Sequence, residues 1–205
     1  MRLETFVLTG KHVQLVPLAR EHAAALVIAG AGDRSTYGFT PVPETVPAME
    51  EYVDGLLGDA LRGTVVPFAQ RRRADGELVG CTRFLNIIRW ANRETPAEVE
   101  IGGTWLAADA QRSPINTEAK LLLLTHAFEV WKVFRVAICT DALNLRSRDA
   151  IERLGARLEG IMRNHRPNTG HLTKPGQPRN TATYSIIPDE WPDIQAYLKA
   201  RLDAG

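Results

Sequence analysis

Residues 111–117 read Gln-Arg-Ser-Pro-Ile-Asn-Thr, between an apolar strand-like run and a long apolar helix. A helix N-terminus offers unpaired backbone N–H groups and about half a positive charge, so a loop that enters one can hold a phosphate. Arg112 adds a full charge, and Ser113, Asn116 and Thr117 add short donors that reach phosphate oxygens. The plainer reading makes Asn116 or Thr117 an N-cap and leaves Arg112 in solvent. Asn144 and Ser147 repeat the pattern on a smaller scale, as cap and first turn of a shorter helix.

Several elements must position this loop. Helix 118–131 carries Ala119, Leu122, Leu123, Ala127 and Val130 on one face and Leu121, Leu124, Phe128 and Trp131 on another, so it is expected to be buried nearly all round, with its N-terminus held rigidly. AEVEIGGTWLA reads as the strand before it, Gly102 and Gly103 marking a bulge or a close backbone approach. FRVAICTDA is the strand after it, and NLRSRDAIERLGA a helix closed by Gly155. RLEGIMRN and TATYSII form a last strand pair across the loop HRPNTGHLTKPGQPRN, before a terminal helix EWPDIQAYLKARL. Upstream, FVLTGKHVQLVPL reads as two strands, and the helical stretches REHAAALVIAG and MEEYVDGLLGDALRG as substrate-side walls around an irregular proline-rich segment. Asp75-Gly76 between apolar runs predicts a hairpin. The pattern is α+β with a mostly antiparallel sheet, and the strand-helix-strand unit at 99–140 can place two strands parallel.

The 205 residues, 44% apolar, suit a single domain over 1–205. Lys plus Arg total 25 against 24 Asp plus Glu, so no general attraction to nucleic acid or to a membrane is expected, and any basic surface must be local. The N-terminus lacks a signal-peptide pattern and no stretch is apolar enough to span a bilayer, which reads as cytoplasmic. Cys81 and Cys139 read as reduced, buried thiols. No Walker loop, HExxH or zinc spacing is present, so no metal is expected. Arg71, Arg72 and Arg73 read as a solvated edge, and His126 as a satisfied core histidine.

EIGGTWL, QRSPINTEAKLLLLTHAFE, TDALNLRSRDAIERLGARLEG and TATYSII occur in this order over roughly residues 77–191, preceded by TGKHVQLVPL. Together they resemble the GCN5-related N-acetyltransferase superfamily, close to its ribosomal-protein alanine acetyltransferase branch. The resemblance implies a mixed central sheet flanked by helices, and an acetyl-CoA-dependent enzyme that acetylates a primary amine by direct attack in a ternary complex. The acceptor would be a protein N-terminus or a small amine, a homodimer is the family habit, and neither cysteine is expected near the sulfur site. Coenzyme contacts carried over are Gln111, Arg112, Ser113, Pro114, Ile115, Asn116 and Thr117 for the diphosphate, and Trp105, Leu106 and Ala107 on the strand that the pantetheine follows. An amide near Trp105 or Leu106 would polarise the carbonyl, Asn144 would contact the pantetheine, and Ser147 would lie by the sulfur. Glu100 is the implied base, with Glu98 on the same face.

The sequence departs from the family at Pro114, where a glycine is usual, so one backbone contact is expected to be missing. Arg166 stands where the branch has a Glu. His165 beside it is a further catalytic candidate and His171 a weaker one, and no Tyr between 141 and 160 can serve as acid, which leaves Ser147. A coenzyme-binding or sensor module without turnover is the alternative that Pro114 and Arg166 suggest.

Overall fold

The computed structural model describes residues 4–170 and 176–204. β1 (Leu8–Thr9) and β2 (Val13–Pro17) form the opening pair, followed by α1 (Ala23–Gly30) and α2 (Val46–Leu61). Asp75 and Gly76 then turn the chain from β3 (Val66–Arg72) into β4 (Leu78–Ile88), and Gly76 takes the positive φ that such a turn needs. β5 (Glu98–Leu106), α3 (Pro114–Thr125), β6 (Arg135–Asp141) and α4 (Leu145–Glu152) make the central unit. β7 (Arg157–Pro167), β8 (Pro178–Ile186) and α5 (Trp191–Asp203) complete the chain. The last strand pair is longer than its apolar pattern suggests and shortens the loop to 168–177; His171 lies outside the described residues.

The strands join in one sheet of order β1-β2-β3-β4-β5-β6-β8-β7. Each adjacent pair is antiparallel except β5 and β6, which run parallel through the α3 crossover as the 99–140 pattern predicts. That parallel ladder covers only Glu98 to Glu100 against Arg135 to Ala137. Beyond Glu100 the strands part and open a cleft. Alternation of side chains gives the sheet two apolar layers: Ile101, Leu123, Leu124 and Leu198 on the α3 and α5 side, and Leu26, Met49, Val53 and Trp105 on the α1 and α2 side.

Two irregularities shape the cleft. Between Cys81↔Trp105 and Arg83↔Gly102, β5 carries one residue more than β4, and Gly103 sits at φ 56°. This is the bulge that the paired glycines predict. On β4, Asn86 takes φ 48° at a second shift, opposite the Glu98 to Glu100 stretch.

α3 departs from its expected form at both ends. It begins at Pro114, not near Thr117, because Ser113 is the N-cap: its Oγ accepts from Ile115 N at 3.3 Å. Neither Asn116 nor Thr117 caps; both lie in the first turn. At the other end the α-helix stops at Thr125 and residues His126–Val130 form a π turn, closed by Trp131 N–H to His126 O at 3.0 Å. The wider turn rotates the last residues, so Val130 is exposed rather than on the buried face, while Phe128 and Trp131 stay inside. His126 stacks on Phe6 with ring centroids 3.9 Å apart, yet its Nε2 has no hydrogen-bond partner among the described residues, so it is not the satisfied histidine expected. Burial pushes its pKa down to about 4, which keeps the ring neutral.

The helix N-terminus is fixed by a residue whose part the sequence reading left out. Glu118 is buried and accepts from the N–H groups of Lys11, His12 and Val13 at 2.8, 2.7 and 2.8 Å. One carboxylate thus ties α3 to the β1–β2 turn.

Candidate active site

The cleft between β5 and β6 holds two cavities of about 450 and 470 Å³. They share Thr40, Thr104, Asn116, Asn144, Ser147 and Ala150, so they meet where the strands part. One lies toward the α3 N-terminus. The other extends along Glu100, Gly102 and Gly103 on β5 and Ile138, Cys139 and Thr140 on β6.

The first cavity is built for negative charge. The helix start leaves the N–H groups of the cap and first three residues without intrahelical carbonyls. Pro114 has no N–H and Ile115 N–H is held by Ser113, so those of Ser113 and Asn116 remain for a ligand. Pro114 occupies the first helical position, where its fixed φ suits the helix and the missing donor would have had no carbonyl partner. One amide contact is absent, as expected, but the helix start is intact. Arg112 reaches the cavity from a left-handed backbone, φ 59°. Arg146, Arg153 and Arg201 line it too, with no carboxylate among its lining residues.

Gln111 lines this cavity but is engaged within the protein. Its Nε2 donates to Thr36 Oγ1 and Leu106 O, both at 2.9 Å, and its Oε1 accepts from Arg146 at 2.7 Å. Gln111 therefore aims Arg146. The spacing of 146, 150 and 153 along one helix face could have shown Arg146 and Arg153 in the sequence; Arg201, on α5, left no local signal.

Backbone orientation separates the two strand candidates. The Trp105 carbonyl faces β4, where a Cβ added at Gly80 would overlap it, and accepts from Gln70 Nε2 of β3 at 3.3 Å. Ala107 N–H also faces β4 and bonds Val79 O at 2.7 Å. The Leu106 carbonyl points the other way, accepting from Tyr37 OH at 2.8 Å, so the alternating backbone puts the Leu106 amide on the cleft side.

The second cavity centres on a buried ion pair. Arg166 NH1 and NH2 donate to Glu100 Oε1 and Oε2 at 3.0 and 2.7 Å, and Asn86 Nδ2 donates to Oε2 at 2.7 Å. The residue that replaces the branch's Glu thus clamps the candidate base in a bidentate pair. The Cys139 thiol is a further hydrogen-bonding neighbour of this carboxylate. Glu98 instead pairs with Arg135 at 3.2 Å and lines neither cavity. Asn144 caps α4, accepting from Ser147 N at 3.1 Å, and both also line the junction, so capping and ligand contact coexist. His165 is exposed on β7 and lines neither cavity; partial burial, then Arg166, lower its pKa from the usual imidazole value.

Two further groups were not foreseen. Cys139 lines the second cavity, contrary to the expectation that neither cysteine is near; burial first, then the Glu100 charge, push its thiol up to about 11, so it stays protonated and a poor nucleophile. Lys120 is buried in α3 with Nζ 2.6 Å from Thr104 Oγ1, and burial lowers its pKa to about 7. In the sequence it looks like one more helix lysine.

Two cavities joined at a strand split, one of them lined by four arginines and no carboxylate, suit a group-transfer enzyme. The family model described as an acetyltransferase (GNAT) domain matches residues 12–157. A curated Bacillus subtilis relative named "Putative ribosomal N-acetyltransferase YdaF" is 32% identical over 144 residues, 65% of this chain and 72% of the relative. A crystal structure of a GCN5-related N-acetyltransferase from Brucella melitensis superposes with TM-score 0.84 at 28% identity, covering 98% of this chain and 87% of that one. Mycobacterium smegmatis RimJ in complex with CoA-disulfide shares the fold, with TM-score 0.75 and 24% identity over 92% of this chain and 88% of that one. The chain belongs to the GNAT family and is an N-acetyltransferase.

Proposed function

We propose that the protein transfers an acetyl group from acetyl-CoA to a primary amine by direct attack within a ternary complex. The observation that carries this is the meeting of a four-arginine cavity and a second cavity at Thr104, Asn116, Asn144 and Ser147. The relative in complex with CoA-disulfide supports the identity of the carrier.

Acetyl-CoA, when bound, supplies the acetyl group as a thioester. Arg112, Arg146, Arg153 and Arg201, with the N–H groups of Ser113 and Asn116, hold its diphosphate. The free edge of β5 guides the pantetheine arm into the cleft, and the Leu106 N–H polarises the carbonyl. Glu100, which faces the second cavity, accepts a proton from the amine or from a water beside it. The amine nitrogen gains the acetyl carbon and loses that proton, and the departing sulfur takes one from solvent or from the Ser147 hydroxyl. The protonated Cys139 is no covalent carrier, which supports direct attack over a two-step route.

Isothermal titration with acetyl-CoA tests the carrier. Micromolar to low-millimolar binding, followed by thiol release when a primary amine is added, is the expected result. Absence of heat at millimolar coenzyme would remove acetyl-CoA from this protein.

A further inference from the structure

The second cavity carries more positive charge than the ion pair answers. Arg83, Arg166 and Arg179 line it against one carboxylate, Glu100, beside Lys120, whose charge burial weakens. Glu100 is engaged by Arg166 through both oxygens, so it does not pair with the others.

Arg179 stands directly opposite Arg166 in the β7–β8 ladder, and both face this cavity. Like charges in that position repel. The Arg179 side chain has one hydrogen bond among the described residues, Nε to Thr181 Oγ1 at 3.3 Å, and no ion pair. Burial and then Arg166 press its pKa down. Asp141 and Glu100 attract it only across space, Asp141 Oδ1 accepting from Leu143 N and Glu100 being held by Arg166. Arg83 lies over Gly103 and donates to Tyr52 OH at 3.1 Å, with no carboxylate partner among the described residues. Two arginines held at a cavity wall without an acid are arranged for an anion from outside the chain.

The cavity is also bridged. Gly170, after β7, packs so closely on Gly38 and Phe39 that a Cβ would overlap them, and Phe39, Pro41, Pro167 and Thr169 all line the space beneath. A polypeptide whose N-terminus entered here would have to carry its following residues out past this contact.

We infer that the acceptor is a small primary amine bearing a carboxylate or a phosphate within a few bonds of the amine, the anion resting on Arg179 and Arg83 while the amine meets Glu100. This rests on the acetyl-transfer reading and narrows its substrate class. A polyamine or other multiply charged cation is disfavoured by the same residues.

Thiol release from acetyl-CoA, measured with matched amines, tests it. The pairs are an α-amino acid and its amide, and O-phosphoethanolamine and ethanolamine, with spermidine and an acidic tripeptide alongside, each rate referred to the unprotonated amine. The anionic member of at least one pair should show kcat/KM about tenfold higher, and which pair responds tells carboxylate from phosphate. Arg179→Gln should abolish that preference through KM with kcat nearly unchanged. Equal or better turnover of the neutral members or of spermidine overturns the inference while acetyl transfer stands. Preference for the tripeptide over the small anionic amines overturns the small-molecule class. Acetylation of none of these by a protein that binds acetyl-CoA overturns this inference, whereas failure to bind acetyl-CoA in the titration above defeats the transfer reading itself.

Discussion

At the scale of single residues, Glu100 has two claims on it. As base it would take a proton from the acceptor; as anchor it holds Arg166 in place. Glu100→Gln separates these claims. Loss of a base should lower kcat/KM about a hundredfold at pH 7 and much less at pH 9, where more of the amine is already neutral; a loss equal at both pH values assigns Glu100 to anchoring alone. The carboxylate itself was legible from the resemblance and the two-residue period. Its clamp was not, because Arg166 is 66 residues away and meets Glu100 only through the β5-β6-β8-β7 order. Gln111 shows the reverse case: the motif exposed the residue, and the structure shows its amide braced against Thr36, Leu106 and Arg146.

Among the elements, β5 decides the shape of the site. Its parallel pairing with β6 ends at Glu100, and its bulge at Gly103 leaves room for the Arg83 guanidinium. Gly103→Ala should cost about 1–2 kcal/mol in unfolding free energy from the left-handed backbone alone, and more from displacing Arg83. It should also raise the acceptor's KM while leaving coenzyme affinity nearly unchanged; thermal unfolding and separate KM values for the two substrates check this. An unchanged acceptor KM would detach Arg83 from acceptor binding. The bulge was readable from two adjacent glycines in a strand. The α3 start, expected at 118, was misplaced by four residues, since Ser113 before Pro114 is itself a helix-opening signal that the polar Asn116 and Thr117 obscured.

For the whole molecule, a near-zero net charge conceals two strongly basic cavities. Burial of Lys120 ties this charge to stability. Its pKa is about 7 in the folded protein against 10.5 ordinarily, so between those values the unfolded chain holds the extra proton. Folding stability from this group is therefore lowest below pH 7 and is regained as pH rises toward 10.5. Lys120→Met should raise Tm relative to the parent most at about pH 6, with the difference shrinking by pH 10; a difference independent of pH would show that burial of charge is not its cause. The sequence by itself determined the alternation of apolar residues, the hairpin turn, the parallel crossover and the ordered motifs, because these depend on neighbours within one strand or one helical turn. Only the tertiary structure decided which charges face one another. Arg83, Glu100, Lys120, Arg166 and Arg179 come from β4, β5, α3, β7 and β8, and electrostatic energy depends on distance in space rather than along the chain.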